Sequence, residues 1–268
     1  MSQILTGSAI ITGAGSGIGQ ATSVALARHG IQKIALVDVN DAGLQTTTDL
    51  IREEHTDKTE VLIIVADVSD ETSVAQAVRT AVKNFGRIDI ALNIAGIPGP
   101  LKPSTDVSLE EFRKVIDVNM TGMWLCQREE LRQMLLQEAV QVRPGVKSRG
   151  VIVNMASIFG LSGAAPYTPA APYNTSKHGV MAITRNDANT YAKDDIRINA
   201  VCPGYIKTAT MEAAVSQGGA MRREIEKVPM GRLANPEEVA EAIIFLASPM
   251  SSFMTGAALV VDGGYTAN

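Results

Sequence analysis

Apolar residues recur along this chain in two alternating patterns. Short runs dominated by Val, Ile, Leu and Ala fall at 9–12, 34–38, 61–66, 88–93, 151–155, 196–201 and 258–261. They are apolar on both sides, as parallel strands covered on both faces must be. Between them, longer segments with helical spacing lie near 17–29, 42–54, 71–85, 109–138, 173–192 and 236–247. No linker, low-complexity tract or internal repeat interrupts the alternation. The pattern predicts one domain over 1–268, an α/β fold with a doubly wound parallel sheet of about seven strands and helices on both faces. The segment 208–229 breaks the rhythm: it follows a strand end, holds Gly218-Gly219 and mixes Met, Ala and charge. Ligands of open α/β sheets bind beyond the carboxyl ends of the strands. Two readings therefore stand for it, a substrate-covering segment or an ordinary surface helix pair.

Composition removes several classes of function. Lys+Arg number 24 against Asp+Glu 28, a net charge of -4, so no basic field is gathered for nucleic acid or an anionic membrane. The three cations between Arg143 and Arg149 read as a solvated loop. Two isolated cysteines, Cys126 and Cys202, and three scattered histidines, His29, His55 and His178, give neither a disulfide framework nor a metal-ligand spacing. Residues 1–7 lack the basic and apolar regions of a signal peptide, no run approaches a membrane span, and the last residues are not a peroxisomal signal. The expectation is a soluble cytoplasmic protein that binds a small molecule and no metal.

Candidate chemistry begins at Thr12-Gly13-Ala14-Gly15-Ser16-Gly17-Ile18-Gly19, which leaves the first strand and opens the first helix. Glycines there permit a tight turn and close approach to a pyrophosphate, which the helix N-terminus favours. Asp38, at the end of the second strand, can accept hydrogen bonds from both ribose hydroxyls of NAD and would repel the 2′-phosphate of NADP. Val39 and Asn40 beside it bring no cation. The expected cofactor is therefore NAD in a Rossmann-like fold; a turn or helix cap is the bland reading of Asp38. Asp67-Val68 and Asn93-Ile94-Ala95-Gly96 end two further strands on the same side, and Asp67 has a turn-capping role as a rival. Tyr173 and Lys177 lie four apart on one helix face, where the Lys cation would lower the phenol pKa and fit Tyr173 for general acid–base work.

Ser157 just past a buried strand, Asn119 in Asp117-Val118-Asn119-Met120, Pro203-Gly204 and Val261-Asp262-Gly263-Gly264 complete a set. With these pieces the chain resembles the classical short-chain dehydrogenases/reductases over essentially its full length. The resemblance implies that Tyr173 exchanges a hydroxyl proton and Ser157 hydrogen-bonds the substrate oxygen. It implies that Lys177 tunes Tyr173 and binds the nicotinamide ribose, and that Asn119 holds a relay water. Gly13, Ser16, Gly17, Ile18, Gly19, Asp38, Asp67, Val68, Asn93, Ala95, Gly96, Pro203, Gly204, Ile206 and Thr208 would line the cofactor. Singly, Ser157 reads as a turn cap, Asn119 as a buried amide at a helix kink, and Thr208 as an N-cap. The chain departs from the family at Ile94 and Ala156, and in a longer Pro- and Ala-rich stretch, 163–172. Tyr167 in that stretch is rejected as the acid–base because Ala171, not Lys, follows four later.

Apolar residues such as Ile97, Leu101, Phe159, Leu161, Tyr167, Met211 and Met221 are expected around the substrate. They suit an apolar, fairly bulky secondary alcohol or ketone, of steroid-, terpenoid- or polyketide-like shape. Rivals are a ketoreductase acting on a carrier-bound or free 3-oxo compound, and a non-catalytic NAD sensor. The helices at 109–138 and 173–192 carry more apolar surface than one sheet face needs. A homotetramer is expected, with a dimer as alternative.

Overall fold

A computed structural model describes residues 4–55 and 59–267. Residues 1–3 and 268, which entered the reading of the two termini, and the side chain of His55 lie outside the described residues.

Seven strands form one parallel sheet: β1 (Ser8–Thr12), β2 (Lys33–Asp38), β3 (Glu60–Val65), β4 (Ile90–Asn93), β7 (Gly150–Met155), β8 (Ile196–Pro203) and β9 (Ala258–Val261). Their order is β3-β2-β1-β4-β7-β8-β9. The chain builds outward from β1 to β3 and then crosses back to lay β4 on the other side of β1. That reversal opens a crevice at the carboxyl ends of β1 and β4, where Thr12 pairs in register with Asn93. All seven strands predicted from apolar runs are present, within two residues of their expected starts and ends.

Helices α1 (Gly17–Arg28), α2 (Asp41–His55) and α9 (Pro236–Ala247) cover one face. Their Leu26, Leu44, Ile51 and Ile243 join Ile11, Leu36 and Val153 in one core. Helices α3 (Glu71–Phe85), α5 (Met123–Leu136) and α6 (Ala171–Tyr191) cover the other, where Val78, Leu131 and Ala188 meet Ile10, Ile152 and Ile198. Each face uses alternate residues of the same strands, which is why the strand runs are continuously apolar.

Two expectations are corrected. The helix predicted over 109–138 is α4 (Leu109–Ile116), a π-helical turn at Asp117–Gly122, and then α5. A π turn inserts a residue without ending the helix, so apolar spacing alone does not reveal it. Beyond α5, β5 (Val140–Arg143) and β6 (Val146–Ser148) form an antiparallel hairpin. The basic stretch read as a loop is thus mostly hairpin, and its ends are tied down. Arg143 donates to the Pro249 carbonyl at 3.2 Å and Arg149 to the Gln137 carbonyl at 2.8 Å. The segment after β8 folds as α7 (Ala209–Gln217) and α8 (Gly219–Glu226).

Candidate active site

The loop between β1 and α1 is shaped by close backbone approach. Gly13 has φ +72°, and a Cβ there would lie 2.8 Å from the Ala95 amide nitrogen. Glycine alone reconciles that dihedral with that contact. The Thr12 hydroxyl accepts from the Ile94 and Ala95 amides at 3.1 and 3.3 Å, tying the two strand ends together. A Cβ on Gly19 would collide with the Gly13 carbonyl. Ser16 precedes α1 in extended conformation and its side chain makes no cap hydrogen bond. The first-turn amides at Gly17, Ile18 and Gly19 are thus left without a capping side chain, the arrangement that receives a phosphate oxygen. Thr208 caps α7 through Met211 at 3.3 Å, as its bland reading held, and its methyl lies against Gly17.

Asp38 stands at the rim of this loop. Its Oδ2 accepts from the Gly15 amide at 2.9 Å and its Oδ1 from the Asn40 amide at 3.0 Å. It shapes the turn as well, and each oxygen retains a lone pair for a ribose hydroxyl. Asp67 caps its turn: Oδ1 accepts from the Ser69 amide at 2.8 Å and hydroxyl at 2.7 Å. Val68 packs with Val74, Leu125 and Cys126, and Ala95 lies against them. The Asn93 Nδ2 is turned inside the protein, donating to Glu130 at 2.9 Å and Asn154 at 3.1 Å. Pro203 ends β8, the Gly204 amide donates to the Val261 carbonyl, and Ile206 is buried in the core.

Ser157, Tyr173 and Lys177 converge beside the crevice. Ser157 follows β7 and accepts from the Phe159 amide at 3.2 Å, the turn cap of its bland reading. The Tyr173 phenol, in the first turn of α6 behind Pro172, lies near enough to Ser157 for that hydroxyl to favour the phenolate. One turn on, Lys177 is buried; its Nζ donates to the Met155 carbonyl at 2.8 Å and sits 5.6 Å from the Tyr173 ring centre. Desolvation brings the Lys177 ammonium down to about 8. Burial also pushes the Tyr173 phenol above its ordinary 10, against the pull of Ser157. In the chain by itself, loss of water is the larger of the two effects on the phenol.

Asn119 lies within the π turn. Its Oδ1 accepts from the Ile97 amide at 2.8 Å, and its Nδ2 donates to the Ile97 carbonyl at 2.9 Å and to Ser176 at 3.3 Å. The kinked-helix amide is real, and it faces the site. A Cβ on Gly96 would lie 3.3 Å from Asn119 Oδ1 and 3.6 Å from Lys177 Nζ, so the missing side chain leaves these two polar atoms a shared space.

An aromatic wall continues outward from Tyr173. Phe159 meets Tyr173 and Tyr205 edge-on at 6.5 and 6.4 Å, and Tyr205 meets Tyr265 at 5.3 Å. Tyr205 and Tyr265 turn their hydroxyls to Glu224. Sequence reasoning named Phe159 but missed Tyr265, Glu224 and a second buried carboxylate, Glu130. No local pattern marks those three. Among the described residues no cluster of His, Cys, Asp and Glu suits a metal, and no helix is long and apolar enough to cross a membrane.

Comparisons with known proteins identify the family. A family profile described as enoyl-(acyl carrier protein) reductase matches residues 13–266. The cis-4-hydroxycyclohexanecarboxylate dehydrogenase of Sinomonas cyclohexanicum is 41% identical over 262 residues, 97% of this chain and 96% of the relative. The crystal structure of levodione reductase superposes with TM-score 0.88 at 36% identity, covering 97% of this chain and 98% of that one. The structure of NAD+-bound xylitol dehydrogenase does so with TM-score 0.86 at 33% identity, covering 96% and 98%. The chain belongs to the short-chain dehydrogenase/reductase family. It is an oxidoreductase of CH–OH groups.

Proposed function

We propose that this enzyme interconverts a secondary alcohol and a ketone on an apolar, fairly bulky small molecule, with NAD as cofactor and Tyr173 as general acid–base. The observation that carries the reading is the meeting of Ser157, Tyr173 and Lys177 at the end of an aromatic wall whose tyrosine hydroxyls are engaged elsewhere. Such a wall offers ring surface and few free polar groups, which suits a saturated ring bearing one hydroxyl. The relative that acts on a hydroxycyclohexane carboxylate supports a ring as the substrate scaffold.

The residues present fit the cofactor. The uncapped start of α1 would take its pyrophosphate, and Asp38 its adenosine ribose, where a 2′-phosphate would meet a fixed negative charge. NAD held there would supply the hydride acceptor for the carbinol carbon, while Lys177 would favour the Tyr173 phenolate. Tyr173 takes the hydroxyl proton in oxidation and returns it in reduction. Ser157 donates to the substrate oxygen and steadies its developing charge. Asn119 and Lys177 hold a water in the space left by Gly96, through which the proton reaches solvent.

We further propose a cytoplasmic homotetramer, with a dimer as alternative. Support comes from α5, which leaves Trp124 and Leu136 exposed, and from Phe253, which is fully exposed. The described apolar excess lies on α5 rather than α6. Light scattering at a monomer mass would remove this part.

The test is absorbance of reduced nicotinamide, with NAD or NADP, across cyclic secondary alcohols including cyclohexanol, against small charged hydroxy acids. Turnover with NAD and ring alcohols supports the proposal. Activity confined to small acyclic hydroxy acids, or to NADP, contradicts it.

A further inference from the structure

Glu224 is a carboxylate with no exposure in a helix whose Arg222, Arg223 and Glu226 face solvent. Its partners come from separate places in the chain. Tyr205, just beyond β8, donates to Oε2 at 3.1 Å, and Tyr265, in the segment after β9, donates to the same oxygen. Lys227 pairs with Oε1 at 2.8 Å. Tyr167, in the proline-rich loop, is held through cations of α8 and its end: the Lys227 ammonium lies 5.0 Å and the Arg223 guanidinium 5.9 Å from its ring centre. The backbone agrees: the Met230 amide donates to the Gly263 carbonyl, docking the chain after α8 on the tail. Thus α8, the loop before α6, the end of β8 and the tail are fastened at one point. Tyr205 in turn meets Phe159, and Phe159 meets Tyr173.

We propose that Glu224 is a positioning residue that latches α7 and α8 over the substrate side of the crevice, acting on the reacting alcohol through Tyr205 and Phe159 without touching it. A charged acceptor holding several donors in a dry site is worth far more than a surface ion pair. Losing it leaves tyrosine hydroxyls buried without a full acceptor. The kinetic part of the proposal rests on the alcohol–ketone reading above; the latch itself does not.

The experiment compares wild type with Glu224→Gln and Tyr265→Phe. Limited trypsin digestion reads the latch directly, since Arg222, Arg223 and Lys227 lie in or beside α8. Steady-state kinetics with NAD and cyclohexanol, beside propan-2-ol, read its consequence. Cleavage within 222–227 should accelerate about tenfold or more in E224Q, corresponding to the loss of roughly one charge-assisted hydrogen bond. KM for cyclohexanol should rise about tenfold, with a smaller change for propan-2-ol. Binding of reduced nicotinamide, followed by fluorescence, should stay within about twofold. Y265F should move the same way by less, keeping the test intact if E224Q fails to fold. Unchanged cleavage in both variants overturns the latch. If wild type turns over neither alcohol, the reading of function fails, while the digestion still decides the latch.

Discussion

Glu130 gives a prediction whose size follows from its surroundings. It lies on α5, fully buried, accepts from Asn93 Nδ2 at 2.9 Å and has the Cys126 thiol as a neighbour. A cavity of about 10 Å³ beside it, lined by apolar groups such as Val74 and Ala77, has room for no more than one water. Desolvation therefore raises its carboxyl from 4.5 to about 8. Between those values the folded protein keeps a proton that the unfolded chain has shed. Stability must then fall as pH rises from about 4.5 through about 8, and level off above. The full gap corresponds to about 5 kcal/mol, an upper bound because any relaxation around the charge reduces it. Glu130→Gln keeps an acceptor for Asn93 and removes the titration. Urea unfolding at pH 6 and pH 9 is the assay. The wild type should lose a few kcal/mol relative to E130Q between the two, and E130Q should be the more stable protein at pH 9. Parallel losses in both proteins would refute the reasoning and leave Glu130 ionised throughout.

Two further substitutions probe the cofactor crevice. Asp38→Ala should raise KM for NAD by about tenfold to a hundredfold, the worth of charge-assisted hydrogen bonds, and narrow the preference over NADP; equal NAD constants would show that Asp38 only shapes its turn. Gly13→Ala forces a Cβ onto the Ala95 amide at positive φ, so it should cost about 2 kcal/mol or more in thermal unfolding and weaken NADH binding measured by fluorescence. A variant with wild-type midpoint and affinity would mean the loop has room that this geometry denies.

The sheet was legible because each strand is a short run apolar on both sides; covering both faces by right-handed crossovers requires a reversal of strand order, but only the structure places it at β4. Tyr173 and Lys177 were legible because four residues make one helical turn. Asn119 was legible as a buried amide at a helix kink, but its partners were not, since Ile97 and Ser176 belong to other elements. Hairpin β5–β6 escaped because its residues are few and largely exposed. Glu130 looked like the charges around it; Arg128 and Glu129 pair on the outside while Glu130 turns inward to Asn93. Glu224 depends on Tyr205 and Tyr265, which only the tertiary fold brings together. The upward push on the Tyr173 phenol was equally hidden, because spacing shows a cation nearby but not how much water is lost.

Tyr173→Phe tests the central claim most directly, because it removes one oxygen and leaves the ring against Phe159. Turnover of cyclohexanol with NAD should fall by about a hundredfold or more, the range of general acid–base catalysis, while NADH still binds with wild-type affinity. A variant that keeps turnover within about threefold of wild type would contradict the account and place the proton transfer on another group.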